Sequence, residues 1–257
     1  MTKNCITLTF GDVAENHVGM QKLGTMANNG LSCELLKKLH AKYEDSELIQ
    51  LNKKTNKNQE EAYLLIIRNG VNKILSDKYD KLYQEQNSLE PDKKALMKGR
   101  VVNKIARYNL CFSAEAQNPD YEKGKGTVIA FDSVPYTSKL KKKLEKLFKV
   151  ENLQCEGNYY YDLNKCYIGY HGDTERRIVI GVRLGDSMPL QYQWFHKFEP
   201  VGKPIKVKLN GGDIYAMSEK ATGYDWKKSS IYTLRHAAGA DKYLTIKQKK
   251  KKMKINK

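Results

Sequence analysis

Asn158-Tyr159-Tyr160-Tyr161 and Tyr170-His171-Gly172-Asp173-Thr174-Glu175-Arg176-Arg177 stand near the head of a run of short apolar stretches, each bounded by turn residues. From Leu153 onward the pattern predicts strands near 155–161, 165–170, 177–185, 190–197, 204–209, 213–218 and 231–236. Strands of this length and spacing, arriving after helical segments, fit an α+β chain whose core is a double-stranded β-helix, two sheets closed as a jelly roll with supporting helices. On a strand or at its exit, residues two apart point to the same face. His171 and Asp173 therefore present an imidazole and a carboxylate side by side. Such a pair supplies two of the three ligands of a 2-His-1-carboxylate iron site, which leaves positions open on Fe(II) for a chelating co-substrate and O2. A lone His-x-Asp also suits a surface turn with an ion pair, so the weight of this one comes from its surroundings.

Upstream, residues 1–90 read as a helical region of their own. Cys5-Ile6-Thr7-Leu8-Thr9-Phe10 alternates as a short strand, and Leu31 to Lys42 has apolar residues at helical spacing. Asn58 ahead of Glu61 resembles an N-cap with an acidic partner, which makes Ala62-Tyr63-Leu64-Leu65-Ile66-Ile67 read as a buried helix. Val71 to Tyr83 keeps a helical period, and Asn87 to Asp92 is a linker. A second domain then covers 91–246, ahead of a disordered lysine-rich tail over 247–257. Just after the linker, Arg100, Lys104, Arg107 and Tyr108 interleave cations with an aromatic, a mixture that can hold phosphate and stack on a base. Gly124-Lys125-Gly126-Thr127 lacks P-loop spacing and reads as a hairpin turn. Leu140, Leu144, Leu147 and Phe148 form one face of an amphipathic helix over Ser138 to Lys149. His17 and His40 stand alone and read as surface or core residues.

The chain carries 46 Lys and Arg against 29 Asp and Glu, a net charge of +17 over 257 residues. Seven of those lysines lie in the tail, so the body is basic as well. A basic body suits a polyanionic partner, nucleic acid above all. The 17 tyrosines outnumber six Phe and two Trp, which favours wet pockets and interfaces over a purely greasy core. Cys5, Cys33, Cys111, Cys155 and Cys166 are odd in number, scattered and without a C-x-x-C, as expected of reduced thiols in an intracellular compartment, cytoplasmic or nuclear. No apolar stretch is long enough for a membrane span, and the first residues do not have the basic-then-apolar pattern of a signal peptide.

Over residues 92–240 the order of features resembles the AlkB-like 2-oxoglutarate- and Fe(II)-dependent dioxygenases. Asn158-Tyr159-Tyr160 stands where that family has Asn-x-Tyr. His171-Gly172-Asp173 is followed by an acid, Glu175, and then come Leu184-Gly185, Gly212-Asp213 and Thr233-Leu234-Arg235. The resemblance implies Fe(II) on His171 and Asp173, with 2-oxoglutarate as co-substrate alongside O2. It implies Asn158 and Tyr160 as co-substrate hydrogen-bonding groups and Arg235 as the partner of its far carboxylate. Arg100, Lys104, Arg107 and Tyr108, with Arg176 and Arg177 just after the motif, become the candidates for gripping a flipped, alkylated base and its phosphates, and the activity implied is oxidative demethylation in nucleic-acid repair.

One departure matters. The family's second histidine usually lies between the Gly-Asp and Thr-x-Arg strands, where this chain has Gly223-Tyr224-Asp225-Trp226-Lys227-Lys228. The third ligand is then His236, or Asp225, or the site is incomplete. Alternation sets His236 against Arg235, since neighbours on a strand face opposite ways. If His236 binds iron, Arg235 is structural, and Lys242 or Lys247 could pair with the co-substrate. His196 reads as a barrel or substrate-side residue. Two other readings are a dioxygenase acting on protein or a small molecule, and a catalytically silent jelly roll that binds nucleic acid or protein.

Overall fold

The computed structural model describes residues 3–52 and 58–246. The lysine-rich tail, with Lys247, lies outside them. In chain order, β1 (Cys5–Gly11) leads into the hairpin β2 (Val13–Glu15) and β3 (Lys22–Gly24). Helix α1 (Cys33–Lys42) starts on Ser32, whose hydroxyl accepts from the Leu35 N–H and so satisfies one of the free amides of the first turn. β4 (Ser46–Gln50), β5 (Tyr63–Ile67), α2 (Gly70–Leu75) and α3 (Tyr79–Asn87) follow. Next come the hairpin β6 (Lys94–Met97) and β7 (Arg100–Asn103), β8 (Tyr108–Ser113) and β9 (Val128–Ala130). Helix α4 (Pro135–Phe148) opens on a proline at its first turn, where a missing N–H costs nothing. The rest is mainly strand: β10 (Gln154–Tyr160), β11 (Tyr167–His171), β12 (Val179–Gly185), β13 (Met188–His196), β14 (Glu199–Leu209), β15 (Ile214–Met217) and β16 (Thr233–Gly239), with a closing turn of helix α5 (Asp241–Leu244).

These strands make one sheet of eight, ordered β4-β5-β15-β12-β1-β10-β8-β9, and one of four, ordered β11-β16-β13-β14. Apart from β8 with β9, neighbouring strands in both run antiparallel. The period of two sorts the large sheet's side chains cleanly. Ile6, Leu8 and Phe10 of β1, Ile180, Val182 and Leu184 of β12, and Ile214 and Ala216 of β15 pack with Leu36, Leu75, Leu140, Leu144 and Phe148 of the helices. The alternate set, including Leu64, Ile66, Val179, Tyr215 and Met217, packs with Met188, Leu190, Tyr192, Trp194 and Leu234 of the small sheet. Two apolar layers result, one under helices and one between sheets. No helix among the described residues is long and apolar enough to cross a membrane.

The helical reading of residues 1–90 needs correction. Helices α1, α2 and α3 are present, but β1 lies in the interior of the large sheet, in register with β10 (Cys5 opposite Tyr160) and with β12 (Cys5 opposite Gly185). Tyr63–Ile67, expected as a helix, is β5, paired with β15 and β4. All five of its residues are buried because the strand is covered on both faces, and such a strand shows no alternation in sequence. Strands from before and after residue 90 share one sheet, so β1, β4 and β5 belong to the same body as the later strands.

Burial on both sides makes β1 sensitive to volume. Leu8→Ala is expected to lower unfolding free energy by about 2–5 kcal/mol in urea denaturation, the usual cost of a cavity at a fully buried leucine. Truncation of the exposed Val18 should leave the midpoint within about 0.5 kcal/mol.

Candidate metal centre

His171 ends β11, and a register irregularity between Ile168 and His171 sets it opposite His236 of β16. The rings lie 4.4 Å apart, centroid to centroid. Asp173 follows one glycine later and its N–H donates to the Thr222 carbonyl. That intervening glycine is demanded by space: a Cβ on Gly172 would fall 2.0 Å from the Gly223 carbonyl oxygen. Gly223 in turn has φ +70 and no room for a side chain against Gly172 and the Leu234 carbonyl. Back-to-back glycines thus draw the His-x-Asp turn against the segment leading into β16.

The outcome is a cluster of His171, Asp173 and His236 whose candidate donor atoms all lie within 4.8 Å of one another. His171 Nε2 stands 3.5 Å from Asp173 Oδ1, and His236 Nε2 stands 3.9 Å from Asp173 Oδ2. His171 Nδ1 donates to the Gly169 carbonyl at 2.7 Å, which orients the ring and leaves Nε2 toward Asp173. Burial, helped by the neighbouring His171, pushes the His236 pKa down to about 3, so its imidazole is neutral at physiological pH. Burial works against an ionised Asp173, but His236, His171 and Arg176 outweigh it and hold the carboxyl well below the usual range. Two imidazoles and one carboxylate, gathered on one side of a cavity, are a donor set that fits Fe(II), Mn(II) or another divalent transition metal.

No family model matches the chain. Over 250 residues it is 50% identical to "Uncharacterized protein R156" of Acanthamoeba polyphaga mimivirus, a match that covers 94% of this chain and 98% of the viral protein. The chain belongs to that protein's family. The shared length takes in nearly the whole of both proteins.

The cluster opens on a cavity of about 400 Å³ between the sheets. Thr7 and Thr9 of β1, Asn158 and Tyr160 of β10, and Arg183 of β12 line it. Arg183 is 1% exposed; its Nη1 donates to Thr7 Oγ1 at 2.7 Å and lies 3.4 Å from Cys5 Sγ, while its Nε is buried without a partner. The Tyr192 hydroxyl is likewise buried and unpartnered. A buried arginine with a free N–H on a cavity wall is a ready site for an anionic group. The sequence reading missed Arg183. The signal was a single cation inside the apolar run Val179–Gly185, which can be buried only if it has work to do.

The other expected residues divide. Asn158 and Tyr160 line the cavity, with Asn158 Oδ1 accepting from Arg107 Nε and from Asn109 Nδ2. Arg107 therefore reaches the cavity wall, though by way of Asn158. Arg235 does not enter: alternation turns it to the opposite face from His236, where it stacks 3.9 Å from Phe195 and 4.9 Å from Trp226. Asp225 is a partner of Lys220 Nζ at 2.7 Å and stands apart from the metal cluster. Arg176 is buried, its Nη2 donating to Glu156 at 2.7 Å and Glu175 at 2.9 Å. Arg177 pairs with Glu219 and lies over the Tyr224 ring. Lys104 donates to Asn16 Oδ1 and Asn109 Oδ1, Tyr108 stacks on Tyr161 at 4.5 Å, and Arg100 is exposed on the β6–β7 hairpin. His196 lies outside the metal cluster, stacked on Tyr232. His40 bonds Ser46, and His17 lies at the cavity rim.

Titration of the chain with Mn(II), followed by electron paramagnetic resonance, is expected to give one site per chain. Alanine at His171, Asp173 or His236 should weaken it by at least about tenfold, whereas Asp225→Asn should bind as the wild type does. A second expectation concerns Lys104, whose pKa burial pushes down to about 8. Between pH 8 and about 10.4, the unfolded lysine's value, the unfolded state holds more protons than the folded one. Stability relative to Lys104→Met should accordingly rise with pH across that window, as read by denaturant midpoints.

Proposed function

We propose that this protein is an Fe(II)- and 2-oxoglutarate-dependent dioxygenase, and that its substrate is an alkylated base in nucleic acid. The observation that carries the reading is the sharing of one cavity by the His171, Asp173 and His236 set and a wholly buried arginine with a free N–H. A metal set alone would suit many chemistries. A buried guanidinium across the cavity from it asks for a ligand with an anionic end, which a dicarboxylate co-substrate supplies. On this reading Arg183, not Arg235, takes the far carboxylate, steadied by the Thr7 hydroxyl. Asn158 and Tyr160 line the side of the co-substrate.

The two sheets support the jelly-roll reading of the fold. Strands β15-β12-β1-β10 face β11-β16-β13-β14, and β1 stands in the large sheet between β12 and β10 although it precedes both in sequence. The weakness of the family resemblance at the second histidine also eases, because His236 stands across from His171 with Arg235 turned out. That weighs against a catalytically silent barrel.

Fe(II), 2-oxoglutarate and O2 bound together would convert a substrate C–H to C–OH, with succinate and CO2 as co-products and one oxygen atom of O2 entering each of the hydroxyl and the succinate. On an N-methyl group the product is a hemiaminal, which breaks down to formaldehyde and the free N–H. The chain's own part is to hold the metal on one face, to fix the co-substrate against Arg183, and to keep the neutral His236 imidazole beside an ionised Asp173. The basic body leans the substrate toward nucleic acid.

The test is conversion of 2-oxoglutarate to succinate with Fe(II) and ascorbate, first without a prime substrate and then with oligonucleotides carrying N-methylated bases. Turnover is expected, and His171→Ala should abolish it. Arg183→Met should raise the 2-oxoglutarate KM by on the order of 100-fold while leaving Mn(II) binding in place, the loss of one buried ion pair. Absence of succinate from a protein that also binds no Fe(II) would sink the proposal.

A further inference from the structure

The seven arginines of the chain have very different fates. Arg68, Arg176 and Arg177 are held by carboxylates, Arg107 by Asn158, and Arg183 by Thr7 inside the cavity. Arg100 projects into solvent. Arg235 is the exception: half-buried, with no ion pair or hydrogen bond among the described residues, its Nε wholly covered and unpartnered. Its guanidinium lies 3.9 Å from the centre of the Phe195 ring and 4.9 Å from that of Trp226. Ring contacts offset part of the cost of removing a cation from water, but they accept no hydrogen bond in the guanidinium plane.

The position is as telling as the lack of a partner. Trp226 and Lys227 also line the mouth of the metal cavity, and Trp226 sits against the His-x-Asp turn, 2.7 Å from where a Gly172 Cβ would be. Arg235 is the immediate neighbour of His236 in β16, on the sheet's other face. The tip of the β13–β14 hairpin closes on the same rim, the Lys197 N–H donating to the Ser229 carbonyl. This brings Lys197 and the exposed Phe198 beside Lys227 and Lys228, with His196 stacked on Tyr232 at 4.6 Å next to them. Glu199 is the acid of the hairpin; Asp225, the acid of the loop, is already bound to Lys220. Unpaired cations interleaved with the exposed Phe198 ring and the half-buried rings of Trp226 and Tyr232 are the chemistry of a phosphate-and-base surface.

We infer that the rim built by Arg235, Phe195, Trp226 and the Lys227-Lys228 loop binds a single-stranded nucleic acid, with Arg235 taking a backbone phosphate next to the nucleotide that enters the metal cavity. The choice of nucleic acid over another polyanion rests on the proposed function; the binding itself needs neither metal nor turnover. The surface does not use the basic residues 100–108.

The experiment is fluorescence anisotropy of the metal-free full chain with fluorescein-labelled twelve-nucleotide oligothymidylate and oligouridylate. Arg235→Met keeps the stem on the rings and removes the charge. It is expected to weaken both probes by about tenfold and to lower the slope of log K against log salt by about one. Lys197→Glu with Lys228→Glu, both exposed, should weaken binding at least as much without touching the core. Lys143→Met, on helix α4 behind the large sheet, should leave it unchanged. Wild-type affinity in both rim variants overturns the inference. So does displacement of the probe by poly-glutamate as effective as by unlabelled oligonucleotide, which would assign the rim to an acidic protein. Because the protein carries no metal in this assay, a failed succinate assay leaves the outcome readable, and a failed binding assay leaves the dioxygenase reading standing.

Discussion

The pairing of β1 between β10 and β12 is the constraint on which the rest depends. Along it, Ile6, Leu8 and Phe10 face the helices, while Cys5, Thr7 and Thr9 face the space between the sheets. One strand thus anchors the outer layer and lines the cavity. A slip by a single residue would exchange the two sets, sending Thr7 into the helical layer and Leu8 over the metal cluster. Thr7 holds Arg183, and β12 holds Tyr215 through its pairing with β15, so the floor of the cavity is determined by the register of this one strand.

The cavity's charges are held by opposed pairs. Arg176 is flanked by Glu156 and Glu175 and stands close enough to Asp173 to favour its anionic form. Glu156 also accepts from Asn158, which accepts in turn from Arg107 and Asn109. The acid and base groups on this side are therefore tied into one network from β8 through β10 to the turn after β11. Arg183 sits apart from it, tied to uncharged groups with a donor left over. That contrast separates a wall of paired charges from a wall with an unpartnered donor.

Much of the later half was legible because its strands are short and half-buried, so that alternation and turn residues mark them. The strands expected over 155–236 have counterparts in β10 to β16, and the His-x-Asp turn lies where the pattern put it. His236 could be named as a ligand because histidines are few. Its partner on the strand could not be settled without knowing which of two adjacent residues faced in. The early half was harder. Tyr63–Ile67 is apolar on both faces and has no period to read, and the pairing of β1 with strands some 150 residues away leaves no local trace. Arg183 escaped for a similar reason: a cation in a central strand is conspicuous, but what it faces is decided by β1 and β16, neither adjacent in sequence.

The order of synthesis gives the position of β1 a further meaning. Cys5 pairs with Tyr160 and Gly185, so β1 leaves the ribosome long before either neighbour exists. Its apolar face must wait, unpaired, while more than half the chain is made, and the sheet zips only when β12 arrives. His236 comes later still. A chain cut short anywhere before β16 lacks His236, so the cluster of His171, Asp173 and His236 is among the last features that synthesis completes.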